Sequence, residues 1–181
     1  MLNVLLTSVG RRVSLVKFFK EALDKRSRIY AADCDNTAPG LYVADKAFIV
    51  PKVNDKNYIP FLLEKSKKED IKLIVPLIDP ELPILAKERD LFFKEGIMPL
   101  ISTYDVVMMG YDKLLTAKFF QEINIPTPKT LLYKKDLDLS SKNFPLIIKP
   151  RFGSASIGVQ KCENMQDIKF YSTKISDPIL Q

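Results

Sequence analysis

Histidine is absent from this 181-residue chain, and cysteine occurs only twice. Without histidine the chain lacks the commonest general base and the commonest metal ligand. Its chemistry must rest on lysine, arginine, carboxylates and backbone dipoles. The two cysteines, Cys34 and Cys162, support neither a disulfide framework nor a zinc site. Such thiol usage fits a cytoplasmic setting. No apolar run approaches the roughly 18 residues of a membrane helix, so no membrane partner is expected. The start, Met1-Leu2-Asn3-Val4-Leu5-Leu6, has no basic n-region or cleavage site and reads as a strand. The net charge of +6 comes without the aromatic-and-basic stripe of nucleic-acid binders. Its excess lies in scattered lysines such as Lys65-Ser66-Lys67-Lys68 and Lys134-Lys135, which solvated helix faces explain, so no nucleic acid is expected either. With 46% hydrophobic and 28% charged residues, the composition is that of a folded globular protein.

Apolar runs alternate with amphipathic stretches over residues 2–102. Strands are expected at 2–7, 28–32, 47–50, 72–76 and 97–101. Helices are expected at 12–24, where Val13, Val16, Phe19 and Leu23 recur at helical spacing, and at 58–69 and 80–95. Unbroken apolar strands separated by helices imply a parallel sheet covered on both faces. The fold class is therefore α/β, with a Rossmann-like sheet first. Asp112 is a plausible N-cap for a helix over 112–123, which Asn124-Ile125-Pro126-Thr127-Pro128 ends. Beyond it come strands at 129–133, 146–149, 157–161 and 177–181 and a helix at 165–171, which Asn164 can cap. The organisation read from this is a Rossmann-like domain over residues 1–110, followed by a linking helix and a small α+β unit over 111–181. The segment after residue 128 is barely large enough for a core of its own, which reads as part of a longer protein.

The richest segment is Phe144-Pro145-Leu146-Ile147-Ile148-Lys149-Pro150-Arg151-Phe152-Gly153-Ser154-Ala155-Ser156-Ile157-Gly158-Val159. A short apolar strand leads into a lysine and then into a loop of small residues. Such a loop lets backbone N–H groups approach an anion, and Lys149 adds a full positive charge beside it. Together they suit a polyphosphate. The loop is not a Walker A motif, which would end in Gly-Lys-Ser/Thr and open a helix. The plainer alternative is a hairpin with a flexible turn.

A second candidate site follows the first strand. Thr7-Ser8-Val9-Gly10-Arg11-Arg12 falls in the crevice where open parallel sheets bind ligands. Gly10 permits a tight turn, and a helix N-terminus favours an anion. Asp33 follows the second strand, and Asp79 and Glu81 follow the strand that ends at Pro76. Ser8, Gly10, Arg11, Arg12, Asp33, Asp79 and Glu81 are thus candidate substrate residues. The alternative for Arg11, Arg12, Asp79 and Glu81 is capping and surface salt bridging. A dinucleotide site is poorly supported, because Gly10 stands alone and no G-x-G-x-x-G is present.

The lysine, proline and Gly-Ser-Ala-Ser-Ile-Gly-Val loop resemble the glycine-rich loop of the ATP-grasp enzymes. The order of parts also resembles that superfamily: a Rossmann-like pre-ATP-grasp domain, a helix bearing one ATP lysine, then a subdomain bearing a second lysine and the loop. The Gly-Arg-Arg turn and the Asp-Pro-Glu loop are similar to those of its carbamoyl-phosphate-synthetase-like branch and of pyrrolysine-biosynthesis ligases. The resemblance implies that Lys113, in Tyr111-Asp112-Lys113, and Lys149 bind ATP phosphates together with Gly153, Ser154, Ala155, Ser156, Ile157 and Gly158. Ala155 departs from the glycine usual in that loop. Alanine resists positive φ, so a left-handed backbone is not expected there.

Resemblance further implies a ligase using ATP and Mg²⁺, acting on a small-molecule carboxylate or bicarbonate and on an amine through an acyl phosphate. Nothing in residues 1–181 matches the family's magnesium carboxylates or adenine hinge, so this stretch alone is expected to be inactive. An alternative is a complete binding module or split subunit that pairs with a second polypeptide, or with a second copy of itself, to complete the grasp. A further alternative is a non-catalytic nucleotide-binding Rossmann protein with its ligand at the Gly10 turn.

Overall fold

The unbroken apolar run after the N-terminus forms strand β1 (Asn3–Thr7), with all five residues buried. The computed structural model describes residues 1–135, 137, 139 and 144–181. They divide into two units, Met1–Tyr104 and Asp105–Gln181.

In the first unit, helix α1 (Val13–Ala22) follows β1, then β2 (Ile29–Asp33), a 3-10 turn (Pro39–Val43) and β3 (Lys46–Ile49). Next come α2 (Tyr58–Lys68), β4 (Ile71–Pro76), α3 (Glu81–Lys87), α4 (Arg89–Lys94) and β5 (Met98–Pro99). The strands form one sheet in the order β3-β2-β1-β4-β5, and every pairing is parallel. Strand side chains alternate between two apolar clusters. Leu5, Tyr30, Ala32 and Ile74 face Tyr58 and Leu62 of α2, Leu85 of α3 and Phe92 of α4. Val4, Leu6, Ile29 and Ala31 face Val16 and Phe19 of α1. The expected parallel sheet covered on both faces is therefore what forms.

Two expected elements of the first unit differ. The single helix over 80–95 is broken at Glu88, whose ψ of 13° leaves the helical range. Its amide closes α3 on the Ile84 carbonyl, and its carbonyl takes the Leu91 amide to start α4. No glycine or proline announces that break. The strand over 97–101 shrinks to two residues, because Pro99 has no N–H to give, although Leu100 still donates to Ile74 at 2.7 Å.

Helix α5 (Tyr104–Tyr111) lies where no element was expected. In the second unit, α6 (Lys113–Glu122) is followed by β6 (Leu131–Leu132), β7 (Leu146–Pro150), β8 (Gln160–Cys162), α7 (Met165–Ser172) and β9 (Pro178–Leu180). The four strands pair antiparallel in the order β6-β9-β7-β8. Both expected caps form. Asp112 accepts from the amides of Leu114 and Leu115, and Asn164 accepts from those of Gln166 and Asp167. Ile148, Cys162, Ile168 and Leu180 make this unit's core with Leu139. The strand expected from Ile157 starts only at Gln160, because residues 154–159 coil into turns: Ile157 N–H donates to Ser154 and Val159 N–H to Ser156. Ile157 is left 77% exposed.

Candidate functional site

Parallel strands bring the ends of β1, β2 and β4, and the loops that follow them, to one edge of the first sheet. The Gly10 amide donates to Asp33 Oδ2 at 2.8 Å, and the Asp35 amide donates to Oδ1 at 2.9 Å. Gly10 has a φ of +49°, which glycine adopts at no steric cost, and Ser8, two residues earlier, has +48°. Arg12 is exposed and donates to the Ser8 carbonyl at 3.1 Å, and Arg11 is also exposed. Gly10, Arg11, Arg12 and Asp33 line a cavity of about 620 Å³ together with Asp35, Thr37, Ala38 and Pro39. Next to the lining residue Pro39, Gly40 is close-packed: a Cβ there would come within 2.7 Å of Val9 Cγ2. The nearby carboxylates already accept internal donors, since Asp35 Oδ1 takes both the amide and the hydroxyl of Thr37. The arginines thus dominate what the cavity offers a ligand, which favours an anion.

Asp79 and Glu81 are not among the residues that line this cavity. Asp79 is exposed. Glu81, expected near the surface, is fully buried. Tyr58 donates its hydroxyl to Glu81 Oε1, and the Leu77 amide donates to Oε2 at 3.2 Å. Burial pushes the Glu81 carboxyl above its ordinary value, and hydrogen bonds from Tyr58, Thr7, Ser8 and Leu77 offset this only in part. Glu81 therefore sits beneath the edge loops and joins them from inside.

In the second unit Lys113, Gly153, Ser154, Ser156 and Ile157 come together near α6 and the end of β7, whereas Lys149, Ala155 and Gly158 do not line the cleft they form. Lys113 Nζ donates to the carbonyls of Gly153 at 2.8 Å and Arg151 at 3.4 Å. Lys113, Gly153, Ser154, Ser156 and Ile157 line a small cleft with Pro150 and Val159. Lys149 projects on the face of β7 opposite the buried Ile148. Its Nζ donates to Gln181 Oε1 at 2.5 Å, and Gln181 Nε2 donates to Thr130 Oγ1 at 2.7 Å. Partial burial lowers the Lys149 pKa.

The backbone corrects one expectation. Ala155 has a φ of +56° and Ser156 one of +58°, although alanine resists that region. Each left-handed non-glycine residue costs about 1–2 kcal/mol. Strain of this kind concentrates where surrounding structure enforces it, often at ligand clamps. Gly158, at +75°, is required twice over, because a Cβ there would lie 3.0 Å from Pro150 Cγ.

One pairing at this site escaped the sequence reading, which has Asp112 as an N-cap and gives Arg151 no role. Arg151 Nε donates to Asp112 Oδ1 at 2.8 Å and to Oδ2 at 2.9 Å, and Nη2 also bonds Oδ2. The Asp112 side chain is only 2% exposed. Burial pushes its carboxyl up, but Arg151 and the amides of Leu115 and Leu114 outweigh this and leave it below the ordinary value. No local signal joins the two positions, which lie on either side of a long intervening segment. Among the described residues, no three histidine, cysteine or acidic side chains group as a metal site.

The family model of the PylC-like N-terminal domain matches residues 4–100. A carbamoyl-phosphate synthase of Methanobrevibacter smithii is 32% identical over an alignment of 145 residues that covers 77% of this chain and 38% of that protein. N5-carboxyaminoimidazole ribonucleotide synthetase of Thermotoga maritima superposes with a TM-score of 0.70 at 19% identity, covering 100% of this chain and 46% of its own. The biotin carboxylase domain of Hydrogenobacter thermophilus 2-oxoglutarate carboxylase, solved with MgADP, ADP and bicarbonate, gives 0.75 at 16% identity, covering 99% and 43%. The chain thus spans less than half the length of each of these proteins.

Proposed function

The chain belongs to the PylC-like N-terminal domain family, in the ATP-grasp superfamily, and on that premise we propose that residues 1–181 act as the N-terminal portion of an ATP-dependent carboxylate–amine ligase. The mechanistic analogy is with carbamoyl-phosphate synthase, to which the chain is similar. Lys113, Lys149 and residues Gly153, Ser154, Ala155, Ser156, Ile157 and Gly158 hold the triphosphate of ATP. Ser8, Gly10, Arg11, Arg12, Asp33 and Asp79 form the edge that receives the carboxylate or bicarbonate, with Glu81 beneath it.

The observation that carries this reading is the placing of Lys113 Nζ on the carbonyl of Gly153, 2.8 Å away. A helix-borne cation and a strained small-residue loop then share one cleft, beside a strand bearing Lys149. Phosphoryl transfer demands charge neutralisation and positioning more than covalent help. In the proposed reaction a carboxylate oxygen takes the γ-phosphoryl group and ADP leaves. The amine then attacks the acyl carbon, loses a proton and expels inorganic phosphate. Mg²⁺ would neutralise phosphate charge, on carboxylates that residues 1–181 are not proposed to supply. This portion is accordingly proposed to be inactive by itself.

Titrating Mg·ATP into the complete ligase, as wild type and Lys149→Ala, tests the reading. Loss of affinity in the variant supports it, and unchanged affinity overturns it.

A further inference from the structure

We propose that Asp112 and Arg151 form a positioning clasp for the candidate nucleotide loop, and that Arg151 is not itself a phosphate ligand. This rests on the nucleotide reading above. Arg151 lies two residues beyond Lys149 and at the root of the loop, where a third phosphate-binding cation would be natural. Its contacts point elsewhere. Nε and Nη2 grip the carboxylate of Asp112, and the guanidinium lies over the ring of Phe152, 5.2 Å from its centroid. Phe152 in turn stacks on Tyr111 at 5.6 Å. The main chain of Arg151 is engaged as well: its N–H donates to Asp177 at 3.0 Å, and its carbonyl accepts the Lys113 amide at 3.2 Å.

The Asp112 carboxylate therefore does two jobs. It caps α6 through the Leu114 and Leu115 amides, and it holds the end of β7 through Arg151. Lys113 is the first residue of α6, next to the cap, so fixing Asp112 and Arg151 together fixes where its amine reaches the loop. The arginine charge is spent on a nearly buried carboxylate, leaving Lys113 and Lys149 as the phosphate cations. A planar guanidinium suits this task because it meets both carboxylate oxygens at once, which an ammonium cannot do.

Three variants separate a clasp from a ligand. Asp112→Asn keeps an N-cap side chain but removes the charge. Arg151→Gln removes the fork, and Arg151→Lys keeps the charge without it. Calorimetry of Mg·ATP binding to the complete ligase is expected to show each of the three weakened roughly tenfold or more. The Asp112→Asn/Arg151→Gln double variant should be little worse than either single one, and Lys113→Ala should cost less in the Arg151→Gln background than in the wild type. Hydrogen exchange at the Lys113 amide, without ligand, should quicken in Arg151→Gln. If Arg151→Lys restores affinity and the losses are additive, Arg151 is a phosphate ligand and the clasp is overturned. If all three variants bind like the wild type and exchange is unchanged, while Lys149→Ala still loses affinity, the clasp alone falls. If Lys149→Ala also binds normally, the nucleotide reading falls, and the exchange measurement separately decides whether the pair holds the loop.

Discussion

The amide of Gly10 donates to the carboxylate of Asp33 at 2.8 Å, tying the turn after the first strand to the end of the second. The same carboxylate takes the Asp35 amide, so one side chain shapes two walls of the arginine-lined cavity. Replacing Asp33 with alanine strands two amides. The expected loss is about 1.5–3 kcal/mol of stability, the scale of hydrogen bonds to a charged group, read from the midpoint of urea unfolding. An unchanged midpoint would show that the turn holds without it.

Glu81 predicts a pH dependence. Burial raises its pKa in the fold, so the folded state favours the protonated carboxyl. The associated stability is fully present below the unfolded value of about 4.5 and is lost as pH rises through the raised folded value. Asp112 gives the opposite slope in acid: its folded pKa is lowered, so its contribution is present above the ordinary value and lost as pH falls. Unfolding free energies measured from about pH 4 to pH 8 should decline toward the alkaline end, and Glu81→Gln should flatten that decline. A variant with an unaltered slope would exclude Glu81 as its source.

Lys149→Ala should weaken Mg·ATP binding to the complete ligase by about 1.5–3 kcal/mol and abolish turnover. Lys67 and Lys68 provide the control. Lys67 makes an exposed ion pair with Glu95, worth roughly 0–1 kcal/mol, and neither alanine variant should change binding.

The loop should discriminate between its small residues. Gly158→Ala forces a Cβ toward Pro150 at a φ of +75°, so it should destabilise the unit by at least about 1 kcal/mol and reduce ATP affinity. Ala155→Gly removes strain at +56° and should keep affinity. Equal behaviour of the two variants in thermal unfolding and calorimetry would mean that this backbone is not enforced.

Residues 1–181 alone should bind ATP no better than about millimolar. Solvent-accessible charge contacts supply roughly 0–1 kcal/mol each, too little to offset the freedom the nucleotide loses. Micromolar binding by calorimetry would reveal a complete site within the chain.

Much of this was legible from periodicity. The apolar strands of the first sheet, the order of its helices and the caps Asp112 and Asn164 are local features, and each formed within a residue or two of its expected bounds. Gly10, Arg11, Arg12 and Asp33 gathered as the rule for parallel-sheet edges requires. What escaped was non-local or ambiguous. The kink at Glu88 has no breaker residue, and the burial of Glu81 depends on Tyr58 arriving from another helix. The left-handed turn at Ala155 runs against that residue's own preference and is set by what surrounds it. Arg151 and Asp112 belong to separate elements, and only folding brings them together.

That last pair also constrains how such a chain can drift over generations. Losing Arg151 alone leaves a carboxylate that is 2% exposed on the amides of Leu114 and Leu115, and a hydrogen bond to a charged group is worth about 1.5–3 kcal/mol, a large part of a small unit's whole stability. Substitutions at the two positions are therefore expected to be coupled: a change at one is best tolerated with a matching change at the other, or with a refashioned helix end.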